Sequence, residues 1–147
     1  MPADGDLLNL YSQRILALAA SIPLTKRLEN PQGTSFKRSP LCGSTVIADV
    51  KIQDGKIAEF GQDVKACALG QASASIFAAQ IIGRTLNEIK TLRDQLRLML
   101  RENGPVPDAP FAEYRVLEPA RDYKNRHASI MLAVEAALEA FDTAVSA

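Results

Sequence analysis

The sequence predicts an α+β fold in a single domain spanning residues 1–147: a small antiparallel sheet of about three strands with helices packed on one face. Three observations predict it. Alternating apolar and polar residues occupy the stretch from 44 to 65, the segments after it repeat their apolar residues every three or four positions, and the chain has neither strand-helix-strand alternation nor an internal repeat. A length of 147 residues suits one domain, and a chain of this size folds without needing a disulfide or a metal. With 47% hydrophobic residues, 5% aromatic residues and no Trp, the core must be built from aliphatics and Ala, which implies close helix contacts.

Leu7 to Ile22 reads as a helix, since Leu8, Tyr11, Ile15, Leu18 and Ile22 recur at steps of three and four, and Pro23 ends it. From Glu29 to Pro40 turn formers predominate, giving an extended connector with a short edge strand near Phe36. Ser44 to Gln53 alternates, with Val46, Ala48, Val50 and Ile52 on one face and Thr45, Asp49, Lys51 and Gln53 on the other, the pattern of a half-buried strand. Asp54 and Gly55 turn the chain, and Ala58, Phe60 and Val64 carry the apolar face into a second strand. A two-residue loop would set Val50 opposite Glu59. A three-residue loop with Gly55 in a bulge sets it opposite Ala58, and this bulged turn is the one expected.

After Cys67 the pattern is helical as far as Gly83, with Leu69, Ala72, Ile76, Ala79 and Ile82 on one face. Thr85 and Glu88 have capping-box spacing and open the next helix, whose inner stripe is Leu86, Ile89, Leu92, Leu96 and Met99. Pro105, Pro107 and Pro110 make a stiff loop, a short helical piece follows from Phe111 to Leu117, and Pro119 breaks it. A final helix from about Lys124 to Thr143 carries the stripe His127, Met131, Val134, Leu138 and Phe141.

Composition excludes several function classes. The 17 Lys and Arg balance 17 Asp and Glu, leaving no basic excess to neutralise phosphates, so no nucleic-acid partner is expected. No stretch approaches the roughly 20 apolar residues that span a bilayer, and Met1 to Asp6 lacks the pattern of a signal peptide. A cytoplasmic protein without a membrane partner is expected. The P-loop sequence and the nucleophile elbow are both missing, and no pair of catalytic carboxylates stands out, so the chain is not expected to be an enzyme.

What remains is two cysteines, Cys42 and Cys67, and one histidine, His127. In a reducing compartment two lone thiols point to reactivity or metal binding more than to a disulfide, with two buried inert cysteines as the alternative. Cys42 lies just before the first strand of the hairpin and Cys67 between its second strand and a helix, where exposed N–H groups and the helix dipole favour thiolate. Pairing of the two strands brings Cys42 and Cys67 together. His127 joins them if the last helix lays its first turn over that end.

These residues carry a resemblance. Pro40, Leu41, Cys42 and Gly43 match a Pro-x-Cys-Gly motif. Cys67 through Ser75 match a cysteine followed by an Ala/Ser-rich helix, and Gly83 through Glu88 match a Gly-Lys/Arg-Ser/Thr-Leu-x-Glu step. All three belong to the U-type iron-sulfur cluster assembly scaffolds, IscU, SufU and the N-terminal domain of NifU, which the chain resembles from about Leu7 to Phe141. The resemblance implies a scaffold or sulfur acceptor that takes sulfur from a cysteine desulfurase, holds iron, a [2Fe-2S] cluster or, alternatively, zinc, and passes its cargo to recipient apo-proteins. It implies Cys42 and Cys67 as ligands or sulfur acceptors with His127 as a third ligand, and it leaves homo-oligomer formation open. Two family features are missing. Ser44 replaces an aspartate, and the third cysteine falls on Ser129 or on Ala128, depending on register. A metal-free interaction module is the alternative this departure raises.

Overall fold

The computed structural model of the chain describes residues 12–41 and 43–146. In chain order the elements are α1 (Gln13–Ala20), β1 (Gly33–Arg38), β2 (Thr45–Gln53), β3 (Lys56–Lys65), α2 (Ala68–Gln80), α3 (Leu86–Arg101), a 3-10 segment (Ala112–Asp122) and α4 (Lys124–Ser146). The three strands form one antiparallel sheet, as the sequence predicts, and their order is β1-β2-β3. The first half of the predicted N-terminal helix, with Leu8 and Tyr11, lies outside the described residues. The described part begins with Ser12 accepting a hydrogen bond from the Ile15 amide, and it ends at Ala20, two residues before Ile22. Pro23 explains the early stop, because a residue preceding proline is driven out of the helical region.

The hairpin turn differs from the expected one. Gln53 pairs with Lys56, so the loop has two residues, and both Asp54 and Gly55 have positive φ (55° and 75°). That backbone matches the right-handed twist of the flanking strands. A bulge occurs instead on β3, where Ile52 pairs with Ile57 but Lys51 pairs with Glu59, leaving Ala58 as the extra residue. Val50 is therefore opposite Phe60 and Ala48 opposite Gln62, while Ala58 is exposed rather than part of the apolar face.

Val46, Ala48 and Val50 face inward, and α4 packs against them and against β1. Small residues set the approach. Gly33 on β1 has no room for a side chain beside the Ala140 carbonyl and Ala144, and the Ser35 hydroxyl donates to the Ala136 carbonyl at 2.6 Å. The other sheet face is not left to solvent, because the connector before β1 crosses it. Gly61, paired with Asp49, makes space for the backbone of Lys26 to Leu28, and the Leu28 amide donates to the Asp49 carboxylate at 3.1 Å. Arg27 and Thr34 complete the shell around Asp49, which is fully buried although the alternation assigns it to the polar face.

Helix α2 packs against α1 and α4 and is buried on nearly every side. Its buried set includes Phe77 and Ala78, whereas the expected Ala79 and Ile82 are exposed, because the helix ends at Gln80 and Ile81 turns inward. Phe77 meets Phe60 edge-on and stacks with Phe111, both at 6.0 Å between centroids, tying sheet, helix and 3-10 segment together. The capping box of α3 forms as its spacing predicts, with both Thr85–Glu88 hydrogen bonds present. Pro119 does not break the segment after the proline-rich loop. It lies inside the 3-10 segment, which runs on to Asp122. Among the described residues no helix is long and apolar enough to cross a membrane.

Candidate functional site

Three elements meet at the end of the sheet where β2 begins and β3 stops. Thr45 pairs with Lys65 there, so the start of one strand and the exit of the other are neighbours. The loop from β1 to β2 is closed by two backbone hydrogen bonds, Ser39 N–H to the Ser44 carbonyl (2.8 Å) and Gly43 N–H to the Ser39 carbonyl (3.0 Å), with Gly43 at φ +69°. Cys42, the first predicted site residue, belongs to this loop and lies outside the described residues.

Cys67, the second, is the N-cap of α2. Its backbone is extended (φ −66°, ψ 170°), its carbonyl accepts the first turn's bond from the Gln71 amide at 2.9 Å, and its side chain takes no part in capping. The thiol instead meets α4: Cys67 Sγ lies 3.5 Å from Ser129 Oγ, and Ser129 Oγ lies 3.1 Å from Ser44 Oγ. Gly70 permits this approach, since a Cβ there would overlap Ser129 Oγ and come within 2.9 Å of the Ala66 Cβ. Both serines are buried. A thiol and two hydroxyls from three elements thus form one hydrogen-bonded chain, with Ser44 two residues beyond Cys42.

At the start of α4 it is Ser129 that lies beside the thiol, while Ala128 lines a neighbouring cleft. His127, the third predicted residue, is turned elsewhere. Residues two apart on a helix project about 200° from one another, and His127 Nε2 lies 3.0 Å from the Ala120 carbonyl and 3.2 Å from the Arg121 carbonyl. Carbonyls only accept, so Nε2 carries the proton and Nδ1 the lone pair. Burial pushes the imidazole below its ordinary pKa, opposed by the two carbonyl bonds and reinforced by the charges of Arg101 and Lys124. Among the described residues no group of three or more His, Cys, Asp and Glu gathers as a metal would require.

The sequence reading missed the Asp49–Arg27 cluster behind the sheet and the role of Gly70 beside the thiol. A lone acid in a strand and a glycine in a small-residue helix give no signal until their neighbours are known.

A family model described as the NifU-like N terminal domain matches residues 22–130. The chain is 24% identical over 131 residues to the iron-sulfur cluster assembly scaffold protein IscU of Thermotoga maritima, covering 89% of this chain and 92% of that protein. Among solved structures, the N-terminal part of a nitrogen-fixing NifU-like protein from Brucella abortus superposes with a TM-score of 0.93 at 40% identity, over 96% of this chain and 98% of that one. A protein described as an iron-sulfur cluster assembly scaffold for the SUF system of Fervidobacterium islandicum has a TM-score of 0.80 at 20% identity, over 91% and 98%, and shares the fold.

Proposed function

The chain belongs to the NifU-like N-terminal domain family, and from that premise we propose that it is an iron-sulfur cluster assembly scaffold whose cargo is carried on Cys67 and Cys42. The observation that carries this reading is the convergence of Ser44, Cys67 and Ser129 at one end of the hairpin, two residues from Cys42. Iron, sulfide and a [2Fe-2S] cluster are cargo here. Thiolates suit them. A cysteine desulfurase supplies the sulfur and apo-proteins receive the product.

Sulfur acceptance follows from the chemistry of Cys67. Its thiolate attacks the outer sulfur of the desulfurase persulfide, the old sulfur-sulfur bond breaks, the partner's cysteine leaves as thiolate, and Cys67 holds the persulfide. The Ser129 hydroxyl is placed to donate to the attacking sulfur. A resident zinc ion does not fit the described residues. Among the described residues the groups beside Cys67 are the hydroxyls of Ser44 and Ser129 rather than further thiolates, and His127 is hydrogen-bonded away from them to two carbonyls. The mutual hydrogen bond of Ser44 and Ser129 also supports a second reading, a metal-free interaction module, since it satisfies the buried hydroxyls without any ligand.

Anaerobic reconstitution with iron, sulfide and a desulfurase distinguishes them. The scaffold reading expects stoichiometric cluster or persulfide on wild type and its loss in Cys67→Ala and Cys42→Ala. Wild type that gains neither, with desulfurase binding intact in the double variant, establishes the second reading instead.

A further inference from the structure

Beside the thiol chain a cleft of about 400 Å³ opens to solvent, lined by Leu41, Arg101, Lys124, His127 and Ala128. Its walls come from the β1–β2 loop, the last turn of α3 and the first turns of α4. Among the described residues no acidic side chain lines it and neither Arg101 nor Lys124 is ion-paired, although seven ion pairs form elsewhere. His127 is 4% exposed, with its Nε2–H spent on the carbonyls of Ala120 and Arg121 and no hydrogen bond to Nδ1 among the described residues. Leu41 is 73% exposed, the highest exposure of any large apolar side chain among the described residues.

We propose that this cleft receives an acidic-apolar segment of a partner polypeptide, its carboxylates against Arg101 and Lys124 and an apolar side chain against Leu41 and Ala128. The charge pattern selects an anion, because two cations left unpaired at the mouth of one cleft repel a cation and attract a carboxylate. Magnitude selects a polypeptide over a free anion. One exposed ion pair raises affinity by no more than about fivefold, so a small anion does not stay, whereas two carboxylates joined to an apolar contact act together. Such a segment carries a hydrogen-bond donor, a backbone N–H, for the Nδ1 lone pair of His127. The proposal is independent of what Cys67 carries.

The test titrates the full chain with the capped tetrapeptide acetyl-Leu-Asp-Glu-Leu-amide, its Asn/Gln counterpart, and inorganic phosphate, following amide and imidazole shifts by NMR at two salt concentrations. Saturable shifts at Leu41, Lys124 and His127 with the acidic peptide are expected, weakened at least tenfold in R101Q/K124Q, weakened also in Leu41→Ser, and weakened by salt. Absence of saturable shifts, equal binding of the amide peptide, or unchanged binding in R101Q/K124Q overturns the proposal. Phosphate binding as tightly at the same residues overturns the polypeptide. Cluster reconstitution on R101Q/K124Q separates the two readings: the peptide effect stands or falls there whether or not a cluster forms.

Discussion

The chemistry of the site turns on contacts of one or two atoms. Ser129 Oγ lies 3.5 Å from Cys67 Sγ, so a thiol at position 129 faces the existing one across the α2–α4 contact. Ser129→Cys is expected to raise zinc affinity at least tenfold in a chromophoric chelator competition, because thiolate replaces a hydroxyl that coordinates poorly. An affinity equal to wild type would mean that α4 does not present this position to Cys67. Gly70→Ala weighs two effects against each other. Ala gains roughly 0.5–1 kcal/mol in a helix interior, but overpacking costs typically about 1–3 kcal/mol, and the added Cβ overlaps Ser129 Oγ. A net loss of about 1–2 kcal/mol in urea denaturation is expected. The buried Asp49 is the second such contact. Burial pushes its pKa up, but hydrogen bonds from Arg27, Thr34 and the Leu28 amide, with the Arg27 charge, outweigh that and hold the carboxyl below its ordinary value. A folded pKa below the unfolded one contributes stability that is present above about pH 4 and lost as pH falls through the folded value. Asp49→Asn is expected to flatten the acid limb of a stability-pH curve. It costs about 1–3 kcal/mol at pH 7, less than breaking a fully buried pair, because the Arg27 side chain is 47% exposed and stays hydrated. Cys67 and Ser129 could be nominated from residue type and motif. Gly70 and Asp49 could not, since what matters about them is which backbone lies opposite.

Among the elements, those governed by local rules were legible and those governed by packing were not. The capping box of α3 follows from two residues three apart, and the Glu88 carboxyl is held below its ordinary pKa chiefly by its bond from the Thr85 amide. Thr85→Ala is expected to cost about 1 kcal/mol in thermal or urea unfolding, and a change within a few tenths would show the cap is not used. Strands β2 and β3 were placed by alternation, but their register was not, because the bulge at Ala58 lies away from the turn that sequence can read. The periodicity of α2 predicts one buried stripe. A helix enclosed by α1, α4 and the 3-10 segment buries Phe77 and Ala78 as well, and in an Ala/Ser-rich helix no period marks that. The persistence of the 3-10 segment through Pro119 has the same source, for it is held by Tyr114 and Leu117, both fully buried, rather than by its propensity.

For the whole molecule, the sheet, α2 and α4 share one core in which Ala48, Val50, Ala136 and Phe77 are all fully or almost fully buried. Tyr114 joins the 3-10 segment to it, its hydroxyl donating to the Ser73 carbonyl at 3.0 Å while Ser73 Oγ donates to the Ile130 carbonyl at 2.6 Å. Native-state hydrogen exchange is therefore expected to find the slowest amides in the centres of β2 and α4, opening only with global unfolding. Fast exchange there would contradict a single core. The sequence by itself determined the class of fold, the number of strands, the location of the turns and caps, and the identity of the sulfur-bearing residues, because these depend on periodicity, backbone preference and residue chemistry over a few positions. Only the tertiary structure decided that Ser129 rather than His127 meets Cys67, that His127 turns to the carbonyls of Ala120 and Arg121, and that Arg101, Lys124 and Leu41 share a cleft. Those relations join segments far apart in the chain, as Cys67 and Ser129 are, 62 residues apart, and they are fixed by how closely small residues let the helices and the sheet approach.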